Sequence, residues 1–431
     1  MDLWLAPQHP PGPWPRLMMR YGFLGEDEAD APALEVFTGS AYGVRGHYRK
    51  LVAGYQRDGW TCADTALDGL DEPIDDALEA ALQANPGDVE VALVYADWLV
   101  EQAHPRGELI LIQRARAHRP DDPALAKREA TLLRDHASSL LPFHVEHAAL
   151  DWDVGFIRAA RLSGDECEGM LWELLHHPSG RFLRDLAIET TTSEEAFEIL
   201  CRGERPHPSS ESARGFAARP PPIRRLVIVD RGLGHEAIDA RDLLPTYRWL
   251  EELVIEGSPV MLDRAALPRL VRLALRLRFI PVHPSSGTLA GLRFADMPQL
   301  AELELGFGDD GDPWRDPDAE LRALVQILAR TELPRLRTLR LAGPPLPTEL
   351  CPRLVRSPLV HALDHLDLGE TELAPEAVDA LIAGAAALAG LRTLAISGDR
   401  VMPGDRGRLR DAFGERLIAA EGFPDPGHPR Q

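Results

Sequence analysis

Charged residues recur in this chain at places fixed by neighbouring aliphatic residues. Glu252 and Glu256 come first, then Arg272 and Arg276, Glu302 and Glu304, Arg340, and finally His365 and Asp367. Each set lies beside or between leucines and isoleucines in a short run. Such runs read as strands that send aliphatic side chains to one side and charged ones to the other. Charge sign alternates from run to run, and parallel strands lie about 5 Å apart, so neighbouring rows can pair laterally. The chemistry on offer is recognition, because a banded array of carboxylates and guanidiniums sets register and partner choice. The competing reading is that the rows neutralise one another and solvate a sheet, each exposed pair contributing only about 0–1 kcal/mol.

Other constellations carry less. Gly306-Phe307-Gly308-Asp309-Asp310-Gly311 has the glycine spacing of a dinucleotide loop, but Asp309 and Asp310 would repel the pyrophosphate that such a loop holds. Asp312, Asp316 and Asp318 extend the acidic run without EF-hand spacing. His144-Val145-Glu146-His147 sets its histidines at i, i+3, whereas a zinc protease needs i, i+4 on one helix. His176-His177 is read as no ligand pair. There is no G-x-S-x-G elbow and no P-loop. The expectation is a non-enzyme with no catalytic residue, no metal, no cofactor and no small-molecule substrate.

The scaffold that must position the charges is written in aliphatic residues. Eight copies of Leu-x-x-Leu-x-Leu, with Ile allowed at the outer places, run from Leu183 to Ile396. They begin at Leu183, Ile223, Leu250, Leu270, Leu300, Leu336, Leu363 and Leu391, which by subtraction are 40, 27, 20, 30, 36, 27 and 28 residues apart. This pattern resembles leucine-rich repeats, whose stacked units share one core and expose a broad concave face. Return segments Ser193–Leu200 and Pro375–Ile382 read as helices, with Ser or Pro ahead of Glu. Helical returns and spacings near 27–28 are similar to the ribonuclease-inhibitor class. That class's asparagine is absent; Thr191, Arg231, Ser258, Arg278, Gly308, Pro344, Thr371 and Asp399 stand there instead. The fold class expected is α/β: a solenoid of short parallel strands with helical returns behind a small helical and α+β N-terminal region.

Upstream, Ile74, Leu78, Ala81 and Leu82 repeat at helical spacing until Asn85-Pro86-Gly87-Asp88. Further helices are expected around Val91–Leu99, after Pro105-Arg106-Gly107, and over Leu125–Leu141. The run Val94-Tyr95-Ala96-Asp97-Trp98-Leu99-Val100-Glu101, followed by Pro105-Arg106-Gly107-Glu108, resembles the bacterial repeat-companion domain, which accompanies leucine-rich repeats. The resemblance implies an architecture rather than an activity. Asp97 is expected to cap a helix or pair with Arg106. Tyr42-Gly43-Val44-Arg45-Gly46 and the stretch to Trp60 resemble a degenerate WGR module. The domains expected are 1–70, a WGR-like module; 71–145, the companion; and 146–431, the solenoid.

Composition narrows the partner. Acidic residues number 68 against 47 basic ones, a net charge of −21, which disfavours nucleic acid as the main ligand. Cys62, Cys167, Cys201 and Cys351 are scattered, with no C-x-x-C, so reduced thiols and a cytoplasmic setting are expected. No signal-like start and no long apolar run points to a membrane. The principal expectation is a protein-binding scaffold or regulatory subunit that uses its charged face. An alternative is a protease-linked regulator engaged at the Pro- and Ser-rich insertion 203–222, where Arg214 is the candidate cleavage point. A weaker alternative is a nucleic-acid-linked scaffold acting through residues 34–60.

Overall fold

The structure, a computed structural model, describes residues 2–6, 16–20, 33–38, 73–85, 88–143, 148–164, 166–202, 220–232, 238–239, 246–257, 260–262, 265–277, 292, 295–307, 317–330, 333–342, 349–369, 371–397 and 400–419. The chain divides into two compact units. Described residues of the first lie within Met1–Ala160, Gly169–Leu183 and Phe216–Pro221; those of the second lie within Arg161–Glu168, Arg184–Gly215 and Pro222–Gln431. Thus the first unit runs past residue 145, the boundary expected from sequence. Tyr42–Gly46 and the rest of the WGR-like stretch beyond Thr38 fall outside the described residues, as do His144–His147 and Arg214.

The first unit opens with strands β1 (Asp2–Ala6), β2 (Arg16–Arg20) and β3 (Ala33–Thr38), an antiparallel sheet in sequence order. Four helices follow where the apolar spacing predicts them: α1 (Asp76–Ala84), α2 (Val89–Glu101), α3 (Pro105–His118) and α4 (Pro123–Asp135). Their starts are chemically marked. Asp75, Asp88 and Asp122 each accept hydrogen bonds from backbone N–H groups of the first turn, and α3 and α4 begin with proline. Leu82, Tyr95, Ala96, Leu99 and Ile110 form one core with Phe156, and Trp98 packs against it.

Arg106 corrects one expectation. Asp97 is exposed, while Arg106 is fully buried and reaches the turn between β4 (Ala148–Asp153) and β5 (Phe156–Ser163). Its guanidinium donates to the Gly155 carbonyl and to Ser179 Oγ at 3.0 Å, and lies 4.7 Å from the Phe156 ring centroid. Val154 and Gly155 both have positive φ, 53° and 77°, the backbone of a tight hairpin turn. The arginine of the Pro-Arg-Gly turn therefore holds a hairpin in place.

The second unit is α/β with a parallel sheet. Strands β6 (Asp185–Thr190), β7 (Arg225–Asp230), β9 (Glu252–Gly257), β11 (Arg272–Leu277), β12 (Glu302–Phe307), β13 (Thr338–Ala342), β14 (His365–Asp367), β15 (Thr393–Ile396) and β16 (Leu417–Ala419) neighbour one another in that order. Short strands β8 (Ile238–Asp239) and β10 (Val260–Met261) pair separately. The middle leucine of every copy falls in one register row: Leu186, Leu226, Leu253, Leu273, Leu303, Leu339, Leu366 and Leu394, continued by Leu417. The eight repeat leucines are all buried, so the sheet side carrying them is the core.

Helices α5 (Ser193–Arg202), α6 (Pro317–Leu328), α7 (Leu350–Arg356), α8 (Pro375–Ala383) and α9 (Pro403–Phe413) lie between the strands in sequence. Thr371, one of the residues standing in the asparagine's place, is fully buried and donates from Oγ1 to the Leu341 carbonyl at 3.1 Å. Backbone satisfaction of that kind is achieved here by a different side chain.

Candidate functional site, an ion-pair network on the sheet

The sheet side opposite the leucines carries the charges expected from sequence, and register fixes which residues meet. One row is Asp185, Arg225, Glu252, Arg272, Glu302, Thr338, His365 and Thr393; the next, two residues on, is Ala187, Val227, Val254, Ala274, Glu304, Arg340, Asp367 and Ala395. A third includes Glu189, Val229, Glu256, Arg276 and Gly306. The second row is apolar at one end, where Ala187, Val227, Val254 and Ala274 form a buried cluster with Val229, and charged from Glu304 onward.

Lateral pairing runs unbroken across these rows. Arg225 Nε lies 3.3 Å from Glu252, which pairs with Arg272. Arg272 also reaches Glu302 at 3.4 Å and Glu304 at 3.1 Å. Glu304 Oε1 accepts from Arg276 Nε at 2.6 Å, and Arg276 continues to Glu256 at 3.3 Å. Glu256 meets Arg231 at 3.3 Å, and Arg231 meets Glu189 at 3.2 Å. On the other side Glu304 lies 3.9 Å from Arg340, whose Nε donates to Asp367 at 2.7 Å.

Burial changes the expected picture. These residues do not stand freely in solvent: side chains of Arg272 and Arg276 are 12% exposed and Glu304 only 6%. Arginine stems cover apolar surface well, and small residues beside them, Ala274 in the middle row and Gly306 in the third, leave room for them. Gly306 shows the fit, since a Cβ there would lie 3.3 Å from Cγ of Arg276. The first glycine of the Gly306–Gly311 run thus seats an arginine stem. Its exposed members are Glu189 and Arg231, and the Glu302 side chain is 39% exposed; His365, beside the network, is exposed and shares a 2.6 Å hydrogen bond between Nδ1 and Thr393 Oγ1.

No protein-family model and no curated protein matches this chain. Among solved structures, the crystal structure of a Bacteroides fragilis protein is similar: 13% identical, covering 96% of this chain and 94% of that one, at a TM-score of 0.39. That likeness is too slight to carry an argument about the site.

Of the residues expected from sequence, Glu252, Glu256, Arg272, Arg276, Glu302, Glu304, Arg340 and Asp367 all fall in this one network. His365 lies beside it, towards the end of the first row. Arg225, Arg231 and Glu189 join the network without having been expected there. Arg225 occupies the same register place as Glu252, so it was legible; Glu189 and Arg231 lie near and just beyond a strand end, where alternation stops. Among the described residues, no cluster of His, Cys, Asp and Glu could hold a metal ion, and no helix is long and apolar enough to cross a membrane.

Proposed function

We propose that this chain is a non-enzymatic scaffold or regulatory subunit of leucine-rich-repeat type, joined to a repeat-companion domain, that grips another protein through the charged side of its sheet. Stacked repeats are supported by the single register row of buried leucines and by the helices that alternate with the strands. The observation that carries the binding role is the network around Glu304. Its buried members hold the outer ones, so Glu302, Glu189 and Arg231 present oriented polar groups without further ordering. Preorganisation of this kind lowers what a partner must overcome on docking.

The partner is a protein surface carrying both charge signs, since the network's five guanidiniums and six carboxylates leave it almost neutral. Affinity capture with the full chain, followed by mass spectrometry, tests the proposal. Glu302→Arg combined with Arg231→Glu alters only the exposed rim and should reduce recovery of the main partner at least about tenfold, the loss of about 1.4 kcal/mol. Unchanged recovery would mean that the network serves the sheet alone.

A further inference from the structure

The turns that lead into the central strands are built alike. The N–H of Leu250 donates to the Tyr247 carbonyl at 3.0 Å, Leu270 to Leu267 at 3.2 Å, Leu300 to Met297 at 3.1 Å and Leu336 to Leu333 at 3.2 Å. In each turn the first and last residues are buried, and the two between are more exposed: Arg248-Trp249, Pro268-Arg269, Pro298-Gln299 and Pro334-Arg335. Strands in register stand about 5 Å apart, so these middle residues line up as a rim at the strand entrances. Arg337, one residue past its turn, belongs to the same rim and is exposed.

The rim differs from the sheet side in one respect. There every arginine holds a carboxylate; here, among the described residues, Arg248, Arg269, Arg335 and Arg337 hold none. Arg337 donates to the carbonyls of Pro334 and Leu336, at 3.2 and 2.8 Å. Arg269 and Arg248 lie over the Trp249 ring, 4.1 and 5.5 Å from its centroid. Of the described carboxylates nearest Trp249 in sequence, Glu251 faces Arg224 at 3.4 Å and Glu252 pairs with Arg225 and Arg272 on the sheet. In a chain with 68 acidic and 47 basic residues, carboxylates are in excess, yet among the described residues none is placed on these four arginines. Trp249 is 37% exposed and Val271, one strand over, 44%, which adds an apolar element to the basic one.

We propose that this rim is a docking surface for an extended, glutamate- or aspartate-rich segment of a partner protein, anchored on Trp249 and held by Arg248, Arg269, Arg335 and Arg337. A guanidinium stacked on an indole keeps its N–H edge free for bidentate contact with a carboxylate. Tryptophan and arginine are also the residues that most often dominate protein interfaces. Single-stranded nucleic acid fits less well, because base stacking needs an open aromatic face and Arg269 covers one. The proposal uses no residue of the ion-pair network, so either surface can fail without the other.

A labelled peptide of alternating glutamate and alanine, titrated into the full-length protein at low ionic strength and followed by fluorescence anisotropy, tests it. Saturable binding is expected despite the like net charges, weakening as salt rises. Arg248→Glu with Arg269→Glu should weaken it at least about tenfold, as should Trp249→Ala. Arg128→Glu with Arg134→Glu, the same change in net charge elsewhere, should leave it intact. The corresponding lysine peptide, attracted by the net charge of −21, should not be weakened by Arg248→Glu with Arg269→Glu. Absence of saturable binding, equal weakening by both charge-reversed pairs, or tighter binding of oligothymidylate through Trp249 would each overturn the assignment.

Discussion

Glu304 has 4% of its surface exposed and takes hydrogen bonds from Arg272 and Arg276, with Arg340 3.9 Å away. Its two oxygens are shared between arginines that are themselves largely covered. Removing that carboxylate leaves guanidiniums facing each other in a site with little water, and breaking a buried pair in this way costs roughly 3–5 kcal/mol. Glu302 sits one row away on the same strand but is 39% exposed, with a long contact to Arg272 at 3.4 Å. An exposed pair is worth about 0–1 kcal/mol. Urea unfolding should therefore separate the two: Glu304→Ala loses about 3 kcal/mol and Glu302→Ala less than about 1 kcal/mol. Similar losses for both would mean that the network distributes its energy evenly and that burial does not decide it.

Among the elements, two glycines make the contrast between a strand end and a helix. Gly257 closes β9 with φ of +103°, and a Cβ there would lie 2.4 Å from the Asp230 carbonyl oxygen. Both the backbone angle and the space exclude a side chain, so Gly257→Ala should destabilise by about 1–3 kcal/mol. Gly407 lies inside α9, where a Cβ would find open space with no atom within 4 Å. There alanine removes only the entropic handicap of glycine, and Gly407→Ala should stabilise by about 0.5–1 kcal/mol. Thermal melts of the two variants should move in opposite directions. This scale was also the most legible in the sequence. Leucine spacing located the strands from Leu186 to Ile396, Asp88 and the Pro-started segments located helices, and alternation put Glu252, Arg272 and Glu304 on one side. Burial of that side was not legible, because it depends on small neighbours such as Ala274 and Gly306 acting together across strands. The Arg106 seat was equally hidden: its partners, Gly155 and Ser179, lie 49 and 73 residues away in sequence.

At the scale of the whole chain, an unusual composition makes one pH effect separable from the rest. Lys50 and Lys127 are the only lysines, so above neutral pH the groups left to titrate are chiefly thiols and phenols. Burial pushes the Cys167 thiol up from 9.0 to about 12, with the charge of Glu168 adding to it, and burial alone pushes Cys351 up to about 12. Burial raises the Tyr247 phenol as well. A thiol whose pKa is higher folded than unfolded keeps its proton in the native state after the unfolded chain has released it. Its stabilising contribution is then complete below about pH 9 and is lost as pH rises from 9 towards 12. At one unit above the unfolded pKa each such thiol costs about 1.4 kcal/mol, so the pair should lower unfolding free energy at pH 10 by about 2–3 kcal/mol relative to pH 8. Urea midpoints measured across this range should fall accordingly, and Cys351→Ala should remove about half of the slope whatever it does to stability at pH 8. A flat profile from about pH 8 to pH 10 would mean that native Cys167 and Cys351 ionise as readily as in the unfolded chain, which cannot be reconciled with two thiols that are wholly shielded from water.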